Sequence, residues 1–266
     1  MSAVVRWDGF LAQIQGRHRQ VIEEAEAAAR QFIAGVAGGG DVTPLSNQLS
    51  AAKSRLQALQ QNIVDTWHGK VEDVMLEEGH VPLRDAEWKK GEAVRHRLDD
   101  ETEELEIRML AELARARFAA AQATIQPPRC GTCGTVLAGP PSFRHVELAC
   151  ACGARTTIAP NELLSTAAAI ATHPISQEAA TAEWRAMRHA ERAQKAVRPP
   201  SPLALIVAYE RTQIMYWHTY LATRAQFEPE LGRDPNMEIR SRMEQWYVSY
   251  AEYEEEWVRA GRPRSI

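Results

Sequence analysis

Hydrophobic positions in the first part of the chain repeat every three or four residues, which is typical of amphipathic helices. The first such pattern starts near Trp7 and stops at the consecutive glycines 38–40, because glycine is costly to hold in helical order. A second pattern begins at Thr43-Pro44, where Thr suits the N-cap and Pro the first helical position. It stops near Gly79. We therefore predict two long helices here.

A third and longer helical pattern follows. Asp85 is a suitable N-cap, and the pattern continues to Pro127-Pro128. Its carboxylate-rich stretch, 99–106, is interpreted as a solvated face. Three long helices joined by short turns predict an antiparallel bundle or coiled-coil hairpin over residues 1–126.

Helical periodicity returns after residue 160 and indicates a helical region over 161–266 that packs with or beside the first. Its predicted helices begin at Pro160-Asn161, run over 176–197 and 203–227, and extend from Pro235 to about residue 260. His173-Pro174 predicts a break or kink. The last helix carries an aromatic stripe that includes Trp246, Tyr250, Tyr253 and Trp257. Such a stripe either fills a core or forms a protein-binding surface.

The composition is that of a soluble globular protein, with 266 residues, 45% hydrophobic, 25% charged and a formal net charge of −4. The most apolar stretch, 203–221, contains Glu210 and Arg211, so no membrane span is expected. The first ten residues lack the apolar segment of a signal peptide. We expect a cytoplasmic protein, and the abundance of Arg over Lys and of Ala fits a GC-rich bacterial genome.

All four cysteines lie close together, as Cys130-Gly-Thr-Cys133-Gly and Cys150-Ala-Cys152-Gly. Each pair is spaced so that both thiolates reach one metal ion, and two such pairs form the tetrahedral four-sulfur site that structural zinc prefers. The glycine after each pair allows the sharp turn that the chain needs there. The sequence therefore predicts one structural zinc ion.

Short β-prone segments flank the cysteines, at 135–137, 144–148 and 155–158. With the two cysteine pairs they resemble a zinc ribbon, a module in which two cysteine turns on a three-stranded sheet hold one zinc. The resemblance covers residues 128–159, inside a predicted domain at 127–160. The second pair departs from it, because C-x-C stands where C-x-x-C is more usual.

Other chemistry remains open for these cysteines. Cys130 and Cys133 form a C-x-x-C pair that could be redox-active, although such pairs normally open a helix. An iron-sulfur cluster uses the same ligand type, and His145 could replace one cysteine. If four thiolates bind zinc, no coordination position stays open and the metal has no catalytic role.

Charge argues against nucleic acid as the partner. Over 127–160 the basic residues Arg129, Arg144 and Arg155 oppose Glu147, a zinc ion with four thiolates carries −2, and Phe143 is the aromatic available for stacking. The module is thus close to neutral. Long amphipathic helices also favour a homo-oligomer.

Motifs for catalysis are absent: the sequence has no phosphate-binding Gly-rich loop, nucleophile elbow or His-Glu-x-x-His. Glu77 and His80 form a single Glu-x-x-His, whereas a di-metal helical bundle needs two. We therefore expect a non-enzymatic adaptor that uses the zinc ribbon as a rigid docking surface for a protein partner. A nucleic-acid-binding protein and a helical-bundle enzyme are the alternatives.

Overall fold

The computed structural model describes residues 2–36, 39–79, 81–138, 145–159, 161–198, 201–227 and 234–251. The fold is mainly α-helical with one small antiparallel sheet, which confirms the predicted fold class. The helices are α1 (Ala3–Val36), α2 (Thr43–Thr66), α3 (Glu72–Glu77), α4 (Val81–Thr124), α5 (Glu162–Ala179), α6 (Thr181–Lys195), α7 (Leu203–Phe227) and α8 (Pro235–Ser249). The strands are β1 (Val146–Ala149) and β2 (Arg155–Ile158).

The chain divides into two compact units, Met1–Leu113 (unit 1) and Ala114–Ile266 (unit 2). The predicted domains 1–126, 127–160 and 161–266 stay a prediction. In the part of the chain that the structure describes, no helix is both long and apolar enough to cross a bilayer.

Unit 1 is a bundle in which α1 and α4 run in one direction and α2 runs in the other. Ion pairs fix this order: Arg55 of α2 lies 3.6 Å from Glu24 of α1, and Lys53 of α2 lies 2.9 Å from Glu103 of α4. Arg30 of α1 meets Glu112, far along α4, at 3.3 Å. The up-down-up arrangement of the three long helical segments follows from these contacts.

The core of unit 1 is built around tryptophans. Trp7 and Trp67 are almost completely buried, and their ring centroids lie 5.3 Å apart. Trp88 packs on Trp67 at 5.5 Å, and Phe10 stacks on Trp7 at 5.6 Å. The Trp7 indole N–H donates to the Glu87 carbonyl oxygen over 3.2 Å. Large rings in fixed orientations therefore join α1, α4 and the segment that directly follows α2.

A π-helical turn, Trp67–Val71, joins α2 to α3. A π-helical turn holds more residues than an α-helical turn, so it moves the buried face by about one position. Met75 is accordingly buried, whereas Val74, which continues the sequence periodicity, is half-buried. The predicted single helix up to Gly79 is thus interrupted.

Two predicted helix starts differ from the structure. Helix α4 begins at Val81 rather than after Asp85, with Pro82 in its first turn, where a proline costs no hydrogen bond. Thr43 is not the N-cap, because it is already the first residue of α2 and Val42 stands at the N-cap without a side-chain hydrogen bond. The Asp41 carboxylate before the helix accepts from the N–H of Thr43 at 2.9 Å and from its hydroxyl at 2.7 Å.

Unit 2 contains helices α5 to α8. Asn161 caps α5 by accepting from the Leu164 N–H at 3.0 Å, and Asp234 caps α8 by accepting from the Asn236 N–H at 3.0 Å. Of the break or kink predicted at His173-Pro174, the break is wrong, since α5 continues through Pro174 to Ala179. Thr172, Ile175 and Ser176, which lie on either side of Pro174 in α5, are buried, and α5 packs against α7. This tertiary packing outweighs the cost of the helical hydrogen bond that Pro174 cannot make.

The core of unit 2 is rich in aromatic and polar contacts. Glu210 is buried on α7 and accepts from the Tyr247 hydroxyl of α8 at 2.5 Å. Around this bond lie apolar side chains from α7 and α8, among them Ile206, Ile239 and Met243. In such surroundings a carboxyl oxygen that loses its donor is costly, because the apolar side chains around it cannot hydrogen-bond to it.

Tyr247→Phe is expected to lower the free energy of unfolding by about 1–3 kcal/mol, because Glu210 loses the Tyr247 donor while it remains buried. Denaturant unfolding of the purified protein measures the change. Val248→Ala is the matched control on the same helix, and its exposed side chain predicts a change within about 0.5 kcal/mol. Equal effects of the two substitutions would contradict a specific role for the Tyr247–Glu210 bond.

Candidate metal centre

The first cysteine turn is shaped by backbone hydrogen bonds around Cys130. The Gly134 N–H donates to the Cys130 carbonyl, and the Cys130 N–H donates to the Thr135 carbonyl, both at 2.9 Å. Gly134 has φ +73°, a left-handed conformation that glycine adopts without steric cost. The chain then reverses direction, and Arg129 and Val136 form an antiparallel β-bridge.

The second cysteine turn connects the two strands. β1 pairs with β2 in antiparallel register, with Val146 opposite Ile158 and Ala149 opposite Arg155. Cys150 donates its N–H to the Ala154 carbonyl at 2.9 Å, and the Gly153 N–H donates to the Cys150 carbonyl at 3.0 Å. Gly153 has φ +84°. The C-x-C pair thus forms a tight hairpin turn that needs one residue fewer than a C-x-x-C turn.

The two turns bring all four sulfur atoms together, within 4.8 Å of one another. Cys130 Sγ lies 3.8 Å from Cys152 Sγ, and Cys133 Sγ lies 3.5 Å from Cys150 Sγ. A tetrahedral site with Zn–S bonds of about 2.3 Å has sulfur–sulfur distances of about 3.8 Å. The cysteines are therefore arranged so that they could hold a metal ion such as zinc.

The surroundings of the sulfurs favour different protonation states. Backbone N–H groups of Cys133 and Thr132 lower the pKa of Cys130 to about 6. The Thr135 hydroxyl and backbone lower the pKa of Cys133. The Cys152 N–H lowers the pKa of Cys150, but the Cys133 sulfur and burial outweigh it, and the pKa of Cys150 rises to about 12. Four crowded sulfurs without a cation cannot all carry charge, which is the condition that a divalent metal relieves.

Two threonine hydroxyls lie beside the sulfurs, and the sequence pattern alone did not point to them. Thr156 Oγ1 donates to Cys130 Sγ at 3.8 Å, and Thr135 Oγ1 lies 3.2 Å from Cys133 Sγ. Hydrogen bonds of this kind orient metal ligands and tune the charge on them. The positions carry no signal in the sequence, because threonine is also an ordinary strand residue.

The module has a small core. Its buried residues are Cys130, Leu137 and Cys150. Partly buried side chains add to it: Leu148, Ala154 and Ile158. Such a small apolar cluster supplies little of the free energy that a separate fold requires, so a metal ion would have to supply much of it.

The other predicted candidates lie away from this cluster. His145 is exposed and does not belong to the group of four sulfurs. In the part of the chain that the structure describes, no other His, Cys, Asp and Glu side chains converge in a similar group. His80, the histidine of the Glu-x-x-His motif, lies outside the described residues.

The structure describes two of the four named residues of the aromatic stripe, Trp246 and Tyr250. Trp246 and Tyr250 are half-buried, with ring centroids 4.5 Å apart, and both contact Tyr209 of α7. Tyr253 and Trp257 lie outside the described residues. The role of these four residues in partner binding stays a prediction.

Comparisons of the chain with protein-family models, with curated proteins and with solved structures find no match.

Proposed function

We propose that Cys130, Cys133, Cys150 and Cys152 bind one structural zinc ion in a zinc-ribbon-like module. The observation that supports this most is the mutual approach of the four sulfurs within 4.8 Å, on two separate backbone turns. Four-sulfur tetrahedral geometry favours zinc over harder cations, which prefer oxygen ligands. With four protein ligands the coordination is complete, so the ion stabilises the module rather than activating a substrate.

We further propose that the protein is a non-enzymatic adaptor whose metal-bound module docks onto a protein partner. Val136 is exposed beside the first cysteine turn, where it forms the bridge with Arg129. The neighbouring positions Thr132 and Gly134 are exposed and uncharged. A rigid, nearly neutral surface of this kind suits contacts between proteins, because apolar side chains on a preorganised frame lose little entropy on binding.

The described charges favour this proposal over nucleic-acid binding. Arg155 is paired with Glu147 across the hairpin at 3.2 Å, and Arg129 donates to the Gly134 carbonyl at 3.2 Å. Both guanidinium groups therefore already make polar contacts within the module. Binding that depends on neutralising phosphates would have little to use among the described residues of this surface.

Affinity purification from the native host tests the docking proposal. We expect Val136→Glu to lose the partner that the wild-type protein recovers while keeping one zinc ion per chain. Val5→Glu, which adds the same charge at an exposed position of α1, outside both the module and the aromatic stripe, should recover the partner normally. Recovery of the same proteins by both variants would contradict docking through the module.

A salt titration distinguishes the proposed adaptor from a nucleic-acid-binding protein. Affinity for single-stranded or duplex oligonucleotides that falls steeply with salt would favour nucleic-acid binding and would overturn the adaptor proposal.

The helical-bundle enzyme requires metal beyond one zinc ion per chain, which a metal count on the purified protein reveals. Sedimentation velocity of the purified protein tests the homo-oligomer that the long amphipathic helices predict.

A further inference from the structure

Unit 1 contains a buried polar layer formed by His18 of α1, Gln60 of α2 and Thr102 of α4. His18 is completely buried, and Gln60 and Thr102 are nearly so. His18 Nε2 lies 3.1 Å from Thr102 Oγ1, and Gln60 Nε2 donates to the same oxygen at 3.1 Å. One hydroxyl group thus joins all three long helices inside unit 1.

The hydrogen bonds of Thr102 determine the tautomer of His18. The Thr102 hydroxyl donates its one proton to the Leu98 carbonyl at 2.7 Å, so its oxygen is left as an acceptor. His18 Nε2 must then carry a proton in order to donate to it. Nδ1 is consequently the unprotonated nitrogen of the neutral ring, and it has no hydrogen-bond partner in the described structure.

The charged groups near His18 offer only partial compensation for a second proton. Glu101 Oε2 lies 3.5 Å from Nδ1, but its side chain is half exposed. Arg97 lies 3.7 Å from the other oxygen of Glu101 and also donates to Gln15 of α1. From α2 the layer is contacted by Gln60, which does not titrate, while Lys53 of α2 pairs with Glu103 and Glu106 instead.

We propose that this polar layer is a pH-sensitive device, in which protonation of His18 at Nδ1 loosens the packing of α1 against α2 and α4. A cation at this position is enclosed by protein, and the nearest carboxylate is already shared with Arg97. Burying a charge without full compensation costs more than burying the neutral ring. The proposal concerns unit 1 and is independent of the metal centre in unit 2.

The direction of the pH effect follows from the pKa of His18. Burial lowers this pKa below its ordinary value of 6.5, the contact with the Leu98 backbone raises it, and Arg97 lowers it further. Because the folded state binds the proton less readily than the unfolded state, the stability from neutral His18 is present above pH 6.5. It is lost as the pH falls through the lower, folded-state pKa.

Hydrogen exchange of the full-length protein, followed by mass spectrometry at pH 7.5 and pH 5.0, tests the proposal. After correction for intrinsic rates, we expect exchange in α1 and α2 of the wild-type protein to rise by at least roughly threefold at pH 5.0. His18→Gln keeps an N–H donor for Thr102 but does not titrate, so this rise should disappear. His68→Gln is the matched control, because His68 is an exposed histidine of the same unit.

A rise that persists in His18→Gln, or that also disappears in His68→Gln, would overturn the proposal. If His18→Gln does not fold, nitrogen NMR of the histidine rings in the wild-type protein decides instead. The expected result is a proton on Nε2 and a His18 pKa below 6.5. Titration at or above 6.5, or a neutral ring protonated on Nδ1, would show that the layer does not sense pH in this way.

Discussion

Cys150→Ser is expected to reduce bound zinc from the proposed one ion per chain to nearly none and to unfold the described parts of the module, residues 129–138 and 145–158, while the helices remain. Serine is a poor zinc ligand at neutral pH, because its hydroxyl does not ionise as a thiol does. The module's own core holds few apolar side chains, so its structure should not survive the loss of the metal. Elemental analysis measures the zinc content, and hydrogen exchange of peptides from 129–158 measures the unfolding.

His145→Ala is the control for the metal centre. His145 is exposed beside β1 and lies outside the sulfur cluster, so its replacement should leave both the zinc content and the exchange of 129–158 unchanged. Loss of zinc in His145→Ala would show that the histidine is a ligand. Circular dichroism of Cys150→Ser adds a further criterion, since a large loss of helical signal would mean that the metal organises the whole fold.

The cysteine cluster could be predicted from the sequence because its information is local. Ligand spacing and the glycines Gly134 and Gly153 specify each turn within a few residues, and both glycines do adopt the left-handed conformation. The convergence of the two turns depends on the pairing of β1 with β2, which the β-prone segments indicate only in outline. The contacts of Thr135 and Thr156 with sulfur depend on side-chain placement that no spacing rule specifies.

Helix prediction succeeded where local signals and packing agree. Helix α7 spans Leu203–Phe227 as its periodicity predicts, and Asp234-Pro235 starts α8. It failed at Pro174 and at the π-helical turn Trp67–Val71, where contacts with other helices decide the backbone. A local rule describes the cost of a proline or an extra residue, but the compensating burial comes from residues distant in the sequence.

The polar layer shows the same limit. His18 falls on the apolar face of the first helical pattern, so the sequence could indicate that it is buried and paired. Its partner Thr102 lies within the carboxylate-rich stretch that we interpreted as a solvated face, and there Thr102 and Glu104 are in fact buried. A charge pattern along one helix therefore does not show which of its positions face the neighbouring helices.

Trp7→Ala is expected to lower the free energy of unfolding of unit 1 by about 3–5 kcal/mol, as large-to-small substitutions of fully buried aromatic residues do. The substitution removes the ring that stacks on Phe10 and packs against Trp67, together with the indole donor to the Glu87 carbonyl. Denaturant unfolding followed by hydrogen exchange in α1 measures the loss in this unit. Val5→Ala, at an exposed position of the same helix, should change the stability by less than about 0.5 kcal/mol.

A substitution at Gly91 of α4, which lies against the Trp7 ring, also tests the packing of Trp7. A Cβ atom at position 91 would lie 2.6 Å from Trp7 Cζ2, and the buried ring has no room to retreat between Phe10 and Trp67. Gly91→Ala should therefore cost about 1–3 kcal/mol through overpacking, although alanine favours helix. Gly16→Ala on α1 meets no atom within 4 Å, so it should gain up to about 1 kcal/mol.

The double variant Trp7→Ala/Gly91→Ala separates this steric cause from a general sensitivity of α4. Once the indole is removed, the new methyl group occupies part of the vacated space instead of colliding with the ring. We expect the two substitutions to be non-additive, with the double variant more stable than the sum predicts by about 1–2 kcal/mol. Strict additivity would mean that the cost of Gly91→Ala arises elsewhere, for example against Ile63 of α2, which the same Cβ would approach at 3.6 Å.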